Sequence, residues 1–428
     1  MTTPAASTPA LLTGLDSRLK DLRALYEDLH AHPELSFQEH RTAAIVAERL
    51  RAQGWDVTEG VGGTGVVGVL RSGDGPVVLL RADMDALPVA ERTGLPYAST
   101  VTAENADGET VPVMHACGHD MHTTCLLGAT TQLAAHQDAW NGTVVALFQP
   151  AEEIGGAPKL IDDGFADRFP RADVCLAQHV APVPAGLAAT RPGPVMCASD
   201  SLRVTLYGKG GHGSMPEAAV DPVVMAAAVV LRLQTVVARE VAAHQTAVLT
   251  VGSINAGTKE NIIPDTAELK LGLRTSDPKV RDRVLAAIRR VTLAEAAASG
   301  APREPDFEML HRLPLTVNDP EATEKVRAAL AARIGERMHV MARPLNGSED
   351  FNVFAEALGA PSVYWHFGGA DPDAFAGTDL AAVLEDGFPA DIPINHSPYY
   401  APVPEPTIEH GVTLLLTAAS AWLAPEAQ

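Results

Sequence analysis

Positive charge is scarce in this 428-residue sequence, which carries 32 Lys and Arg residues against 53 Asp and Glu residues. The net charge of -21 argues against nucleic acid and anionic membranes as partners, because both repel an acidic surface. No uninterrupted apolar run is long enough to suggest a membrane span. Residues 1–15 contain no positive charge, so we do not expect a secretory signal.

Cysteine is also rare, and its spacing shows no disulfide framework. A reducing, cytoplasmic location is therefore expected. The chain contains only Cys117, Cys125, Cys175 and Cys197.

The composition is that of a globular protein, with 46% hydrophobic and 20% charged residues, and the length predicts two or three domains. The first part of the chain alternates helical and strand-like patterns, which predicts an α/β domain with a mostly parallel sheet and helices on both faces. The predicted helices are Leu15–His30, Glu39–Gln53, His119–Ala135 and Gly156–Asp163, and the predicted strands are Val66–Leu70, Val77–Arg81, Thr143–Phe148 and Val174–Gln178.

A different pattern begins near Ala198 and ends near His311. Three strands with alternating apolar and polar residues and two long helices predict most of an α+β, ferredoxin-like unit. We therefore predict an inserted domain over residues 198–311, between two parts of the first domain, residues 1–197 and 312–428, where a helix over Glu321–Ile334 resumes it. The predicted elements of the insertion are the strands Ser201–Tyr207, Ala247–Ile254 and Ala267–Arg274 and the helices Asp221–Glu240 and Pro278–Ala298.

The most informative stretch is Met114–His122, which holds three histidines, a cysteine and an aspartate. Cys117 and His119 are two residues apart, so in an extended segment both side chains leave the same face. A thiolate and an imidazole suit zinc and neighbouring transition metals. The alternative is a polar loop with a buried free cysteine.

Carboxylates follow two predicted strands, where the catalytic groups of open α/β sheets gather. Asp83 and Asp85 share a face, although one of them could simply cap the next segment. Glu152 and Glu153 could form a solvated corner, but they come directly after a buried-type strand. Adjacent side chains diverge, so one glutamate could bind a metal while the other acts as a general base toward water.

Two more histidines, His179 at the end of a predicted strand and His396 far along the chain, are further candidate ligands. A lone histidine is more often structural, but five candidates at comparable positions favour a metal site.

The inserted domain has its own candidates. His212 lies in the glycine-rich loop Gly208–Pro216, where it could donate a proton or be incidental to a turn. Arg274 could bind a carboxylate or be a surface arginine at a strand end. Asn261 is a further candidate, and Gly347–Phe351 reads as a helix start capped by a serine.

Together these segments resemble a family of co-catalytic metallo-amidohydrolases that includes aminoacylases, hippurate hydrolases and auxin-amino-acid conjugate hydrolases. The matching segments follow the family's order over about residues 30–412. They are His32–Ser36, Arg81–Pro88, Cys117–Asp120, Gln149–Glu153, Gly210–Pro216, Asn261–Asp265, Gly347–Phe351 and Asn395–Pro398.

The resemblance implies a hydrolase that cleaves N-acyl amino acids with two divalent metal ions per subunit, with zinc, manganese, nickel and cobalt as candidates. It assigns Cys117 as the bridging ligand, His119 and His179 to one metal, and Glu153 and His396 to the other. Glu152 would be the general base, and Asp85 would orient a ligand.

The resemblance also implies that the insertion is a lid and dimerisation domain of a homodimer. His212 would reach the partner subunit's site, and Asn261 and Arg274 would contact the carboxylate end of the substrate.

Two segments depart from the family pattern and leave the acyl group open. Residues 370–391 form a longer segment than expected, and His366 stands where an apolar residue is expected. A dipeptidase or carboxypeptidase of the same fold, or a non-catalytic metal-binding relative, remain alternatives. Cysteine at the bridging position, in place of aspartate, argues against the peptidase branches.

Overall fold

The computed structural model describes residues 8–378, 383, 389 and 391–423. The chain folds into two units, each with its own apolar core. Unit 1 comprises residues 1–195, 317–343 and 350–428, and unit 2 comprises residues 196–316 and 344–349.

Unit 1 is built on an eight-stranded mixed sheet in which the central strands run parallel, which confirms the predicted α/β class. The strands are β1 (Asp56–Val61), β2 (Gly65–Ser72), β3 (Val77–Asp83), β6 (Gly142–Gln149), β7 (Val174–Pro184), β8 (Ala188–Thr190), β17 (Met338–Val340) and β18 (Ser362–Ala370), with the separate pair β4 (Thr102–Glu104) and β5 (Thr110–Pro112). Their order in the large sheet is β1-β2-β6-β3-β7-β18-β8-β17.

Helices pack against this sheet and enclose an apolar core. The helices of unit 1 are α1 (Thr8–Leu11), α2 (Leu19–Ala31), α3 (His40–Ala52), α4 (His119–Ala135), α5 (Ala157–Asp162), α6 (Phe165–Arg168), α9 (Pro320–Ile334), α10 (Asn352–Leu358) and α11 (Pro404–Leu423).

Helix α4 is buried on nearly all sides, because it packs against α2, α11 and β3. Such a helix has apolar residues around its whole circumference rather than on one stripe. A β-carbon at Gly128 would lie 2.6 Å from Val412 Cγ2, so glycine allows α4 and α11 to approach closely.

Unit 2 has the element order β-α-β-β-α-β, with a four-stranded antiparallel sheet in a split β-α-β arrangement. Its elements are β10 (Ala198–Tyr207), β11 (Gly211–His212), α7 (Pro222–Glu240), β12 (Ala247–Ala256), β13 (Ile262–Ile263), β14 (Thr266–Thr275), α8 (Pro278–Ala298) and β15 (Asp306–Leu313). The order in the four-stranded sheet is β12-β14-β10-β15. Buried and exposed residues alternate along β14, and both helices begin at a capping aspartate, Asp221 or Asp277. The short strands β9 (Gly193–Met196) and β16 (Thr316–Asn318) lie where the chain passes between the units.

Helix α7 is the one helix in the described part of the chain that is long and apolar enough to cross a membrane, judged by its length and composition alone. Met225, Val229 and Leu233 on its buried face pack into the apolar core of unit 2.

Candidate metal centre

The candidate site of unit 1 lies at the carboxyl ends of neighbouring parallel strands. Asp85 follows β3 and the two glutamates Glu152 and Glu153 follow β6, as the sequence predicts. Asp83, which was expected after the strand, is the last residue of β3, and the 3-10 turn that holds the glutamates was not predicted. His179 differs from expectation, because β7 continues to Pro184 and the histidine lies within the strand. The ladder between β3 and β7 ends at Ala177, so His179 lies beyond it.

Cys117 and His119 converge through a turn, so the extended segment proposed for them is wrong. Gly118 has a left-handed φ of 88°, and His119 is the first residue of α4. A β-carbon at Gly118 would lie 2.5 Å from Val180 Cγ1, so this position requires glycine for both its conformation and its space.

The five predicted metal ligands form two overlapping groups. Cys117, His119 and His179 form one, and Cys117, Glu153 and His396 form the other; within each group the ligand atoms lie within 4.8 Å of one another. Cys117 belongs to both groups. The arrangement suits two ions that share a thiolate ligand.

Hydrogen bonds engage Nδ1 of both His119 and His179 and leave Nε2 of each ring among the candidate ligand atoms. His179 Nδ1 lies 2.8 Å from the Val180 carbonyl oxygen, and His119 Nδ1 lies 3.2 Å from Asp85 Oδ1. Each Nδ1 therefore donates its proton, and the lone pair is on Nε2.

Two buried polar atoms in these groups make no hydrogen bond of suitable geometry, although one of them, Glu153 Oε1, lies within ion-pair distance of His396 Nε2. They are His119 Nε2 and Glu153 Oε1. An unpaired buried acceptor costs free energy, and a metal ion removes that cost. The donor set and these two atoms fit divalent metal ions.

Asp85 fixes the glutamate turn and a ligand at once. Its Oδ1 accepts the Glu152 N–H at 3.0 Å, its Oδ2 accepts the Glu153 N–H at 3.1 Å, and the Ser36 hydroxyl donates to Oδ2 at 2.7 Å. With its contact to His119, the carboxylate orients both a ligand and the two adjacent glutamates.

His122 lies close to the ligands but has both ring nitrogens engaged. The Val180 N–H donates to its Nε2 at 2.8 Å, so the proton is on Nδ1 and is donated to Asp83 at 2.5 Å. No lone pair remains for a metal. Its role is to hold the strand that carries His179, and Asp83 is its partner.

Burial and nearby charges shift the pKa values of the ligands in opposite directions. Burial lowers the pKa of His119, but Asp83 and Cys117 raise it well above the ordinary value. Burial holds the pKa of His179 well below the ordinary value. Burial and Glu153 raise the pKa of the Cys117 thiol, so a thiolate there requires positive charge nearby.

The neighbouring Cys117 and Glu153 side chains raise the pKa of His396 to about 10. Its Nε2 lies 3.4 Å from Glu153 Oε1. Its backbone has a φ of 71°, and its N–H donates to the Ala116 carbonyl at 2.7 Å, which ties it to the Cys117 loop.

The three candidates of the insertion all lie in unit 2. His212 and Asn261 are near each other, because β11 pairs with β13 and Gly213 N–H donates to the Asn261 carbonyl. His212 Nδ1 lies 2.8 Å from Ser214 Oγ, and the ring is exposed. Arg274 lies near the end of β14 and donates to Ser348.

That contact corrects the prediction that Ser348 caps a helix. Helix α10 begins at Asn352 without a side-chain cap. Asp350 lies in unit 1, where its carboxylate accepts hydrogen bonds from Gln149 and from the Ala157 N–H.

Asn395 is a site residue for which the sequence predicts no role. Its Nδ2 donates to the Cys117 carbonyl at 3.0 Å and lies 3.8 Å from the thiol sulfur. Its position beside a candidate ligand, His396, is the only signal that the sequence offers.

His366 lies in β18, directly opposite His179 in the parallel ladder, and is buried. Of the unusual segment over residues 370–391, residues 379–382, 384–388 and 390 lie outside the described residues.

Comparison with known proteins places the chain in a family. The model of peptidase family M20/M25/M40 matches residues 79–388. The chain belongs to this family.

Named relatives cover most of the chain. A hippurate hydrolase of Campylobacter jejuni is 39% identical over 344 residues, which are 78% of this chain and 86% of the relative. Thermostable carboxypeptidase 1 of Saccharolobus solfataricus is 38% identical, over 79% of this chain and 84% of the relative.

A solved structure supports the fold over nearly the whole length. A dinuclear metal-binding peptidase of the M20 family from Bacillus subtilis aligns with a TM-score of 0.73 and 30% identity, covering 95% of this chain and 98% of that structure.

Proposed function

We propose that this M20-family amidohydrolase cleaves the amide bond of N-acyl amino acids and releases a carboxylic acid and a free amino acid. The observation that carries the proposal is a buried glutamate, Glu152, next to two ligand groups that share Cys117. Glu152 is 6% exposed, and its Oε2 lies 4.0 Å from His119 Nε2.

The five predicted ligands would hold two divalent ions per chain, one with His119 and His179 and one with Glu153 and His396, with Cys117 shared. When bound, the ions would polarise the amide carbonyl and lower the pKa of the attacking water. Zinc, manganese, nickel and cobalt are the candidate ions for this mixed set of sulfur, nitrogen and oxygen ligands.

Glu152 is the general base in this proposal. It takes one proton from the attacking water while the water oxygen bonds to the carbonyl carbon. It then delivers that proton to the amide nitrogen as the carbon–nitrogen bond breaks. Asp85 supports these steps indirectly, because it fixes the backbone of Glu152 and the ring of His119.

Unit 2 supplies the remaining groups in the proposal. We assign the inserted domain, predicted over residues 198–311, as the lid and dimerisation domain of a homodimer. His212 stabilises the oxyanion in the partner subunit's site, and Asn261 and Arg274 bind the substrate carboxylate. All four cysteines are free and buried, which supports a cytoplasmic location.

Carboxypeptidase activity is the second candidate, and the similarity to thermostable carboxypeptidase 1 favours it. Both reactions release an amino acid with a free carboxylate. They differ in the acyl side, which is a peptide in one case and a simple acyl group in the other.

A substrate panel separates these functions. Metal-free protein is reloaded with zinc, manganese, nickel or cobalt and tested on acetyl-, benzoyl- and long-chain-acyl amino acids and on dipeptides. We expect release of amino acid from the acyl substrates. Faster turnover of the peptides would favour the carboxypeptidase, and no turnover in any arm would favour a non-catalytic relative.

The trans role of His212 has its own test. His212→Ala and Glu152→Gln are each expected to be inactive, and the two variants are mixed under conditions that exchange subunits. Activity reappears if one site combines Glu152 from one chain with His212 from the other. No recovery despite demonstrated exchange contradicts the trans arrangement.

A further inference from the structure

Three non-glycine residues in the described part of the chain have a left-handed backbone. They are Phe37, Ala151 and His396, with φ values of 63°, 58° and 71°. A β-carbon makes this conformation unfavourable, so the surroundings must hold it in place. His396 is a proposed ligand, and Ala151 directly precedes Glu152.

One buried carboxylate binds the other two left-handed residues. Glu39 Oε1 accepts the Phe37 N–H at 3.0 Å and the Ala151 N–H at 2.8 Å, although 112 residues separate Glu39 from Ala151. Its Oε2 accepts the Thr64 hydroxyl. Glu39 is fully buried at the start of α3, and its position is therefore fixed by the core.

The unfavourable burial of the Glu39 carboxylate is reflected in a raised pKa. Burial and the nearby charge of Asp85 raise the pKa of Glu39 to about 7. A buried acid with such neighbours is unfavourable unless its hydrogen bonds return free energy. The bonds to Phe37 and Ala151 are the ones it makes to the strained backbone.

The turn that begins at Ala151 has little room to move. Gly156 N–H donates back to the Ala151 carbonyl at 2.8 Å, and a β-carbon at Gly156 would lie 2.8 Å from Ala151 Cβ. Together, Glu39 and Asp85 accept three consecutive N–H groups, those of Ala151, Glu152 and Glu153.

We propose that Glu39 is a positioning residue that holds Ala151 in its left-handed conformation and thereby aims Glu152 at the reacting water. The proposal rests on the assignment of Glu152 as general base. Phe37, the other residue that donates to Glu39 Oε1, is itself held near the glutamate turn, because the centroid of its ring lies 3.9 Å from Lys159 Nζ.

The first test compares Glu39→Ala with Glu39→Gln. Alanine removes the acceptor of both N–H groups. We therefore expect kcat to fall by about tenfold to a hundredfold, as when a catalytic group is misplaced, with little change in KM. Glutamine keeps an acceptor oxygen for both N–H groups and can donate to Thr64, so its kcat should stay within about threefold of the wild-type value. Glu48→Ala removes an exposed carboxylate from the same helix and serves as the control.

The second test uses the strain itself. Glycine adopts a left-handed backbone without cost. Adding Ala151→Gly to the Glu39→Ala variant should therefore raise its kcat about fivefold to tenfold. A residue that only stabilises the fold would lower the melting temperature without this rescue. If Glu39→Ala does not fold, Glu39→Asp takes its place. Its side chain is shorter by one methylene, so the carboxylate no longer reaches the Ala151 N–H.

Crystal structures of the variants give a readout that does not depend on activity. We expect Ala151 to leave the left-handed region in Glu39→Ala and to stay there in Glu39→Gln. An unchanged Ala151 and an unchanged kcat in Glu39→Ala would overturn the inference, as would equal kcat losses in both variants. If wild-type protein hydrolyses no acyl amino acid, the proposed function fails, and the Ala151 backbone still tests Glu39.

Discussion

The interiors of the two units are built on different principles. Unit 2 buries an apolar core between its sheet and two helices, and its buried Asp200 is paired with Arg281 at 2.6 Å. Unit 1 also has an apolar core, but at the carboxyl ends of its central strands it buries a dense set of ionisable groups. These include Arg81, Asp83, Asp85, His119, Asp120 and His122.

The difference teaches where function lies in this fold. Burying an ionisable group costs free energy unless a partner compensates, so an apolar core is the cheaper way to stabilise a domain. In unit 1 most of these groups are hydrogen-bonded to one another, whereas His119 Nε2 and Glu153 Oε1 make no hydrogen bond and lie among the candidate metal ligands. The polar cluster is therefore expected to serve catalysis, and the apolar core of unit 2 to serve stability.

The largest expected effect separates the two adjacent glutamates of the polar cluster. Glu152→Gln should lower kcat on the order of a thousandfold, because it removes the general base. It should keep the metal content of the wild type and its melting temperature. Steady-state kinetics and mass-spectrometric metal analysis measure both quantities.

Glu153→Gln is the matched variant, and it should lose metal as well as activity. Retention of most of the kcat in Glu152→Gln would show that the base is another group. Equal metal loss in both variants would show that the two roles cannot be separated.

A change in the apolar core of unit 2 should have the opposite signature. Leu269 is fully buried in β14, so Leu269→Ala should lower the free energy of unfolding by about 3–4 kcal/mol. Metal content should not change. Lys270→Ala, on the exposed face of the same strand, is the control for urea unfolding; similar losses in both variants would count against the packing explanation.

His30 links stability to pH through the polar interior of unit 1. Its Nδ1 lies 2.6 Å from Asp120 and its Nε2 lies 3.1 Å from Glu91. Burial lowers the pKa of His30, but Asp120 and Glu91 together outweigh burial and raise this pKa to about 9. A raised histidine pKa stabilises the fold below about pH 6.5, and that contribution is lost as the pH rises through about 9.

His30→Gln should therefore destabilise the protein more at pH 6 than at pH 10, by up to about 3 kcal/mol. Urea unfolding at the two pH values measures the difference. His32→Gln, at the exposed end of the same helix, should have a small effect at both pH values. A loss that is equal at pH 6 and pH 10 would mean that His30 contributes by packing alone.

The smallest expected effect is at a helix end in unit 2. Asp221 accepts the Val223 N–H at 2.8 Å as the cap of α7, so Asp221→Ala should lower the free energy of unfolding by about 1 kcal/mol. Asp221→Ser keeps an acceptor and should restore most of that loss. If serine and alanine unfold alike, the cap does not contribute.

The same contrast explains what could be predicted from sequence. In unit 2 the alternation of apolar and polar residues marks the strands, and Pro278–Ala298 is a helix with the predicted bounds. In unit 1 the edge strand Asp56–Val61 was not predicted, because it is largely exposed and carries no apolar run. His119–Ala135 has the predicted bounds although it lacks an amphipathic pattern, because its length identifies it.

The site was predictable in its residue types but not in its geometry. The candidate ligands could be named because cysteine, histidine and glutamate are residue types that bind transition metals, and Glu153 lies just after a strand. The turn at Gly118, the continuation of β7 past His179 and the contacts of Asn395 depend on tertiary packing. So do the two hydrogen bonds of Glu39, since no local pattern relates it to Ala151.

The central claim is that the polar cluster of unit 1 is a two-metal hydrolytic centre. Titration of metal-free protein with zinc or manganese, followed by the rate of amino acid release from an N-acyl amino acid, tests it most directly. The account predicts no activity without metal and a plateau at two equivalents per chain. Full activity in protein verified to be metal-free, or a plateau at one equivalent, would contradict it.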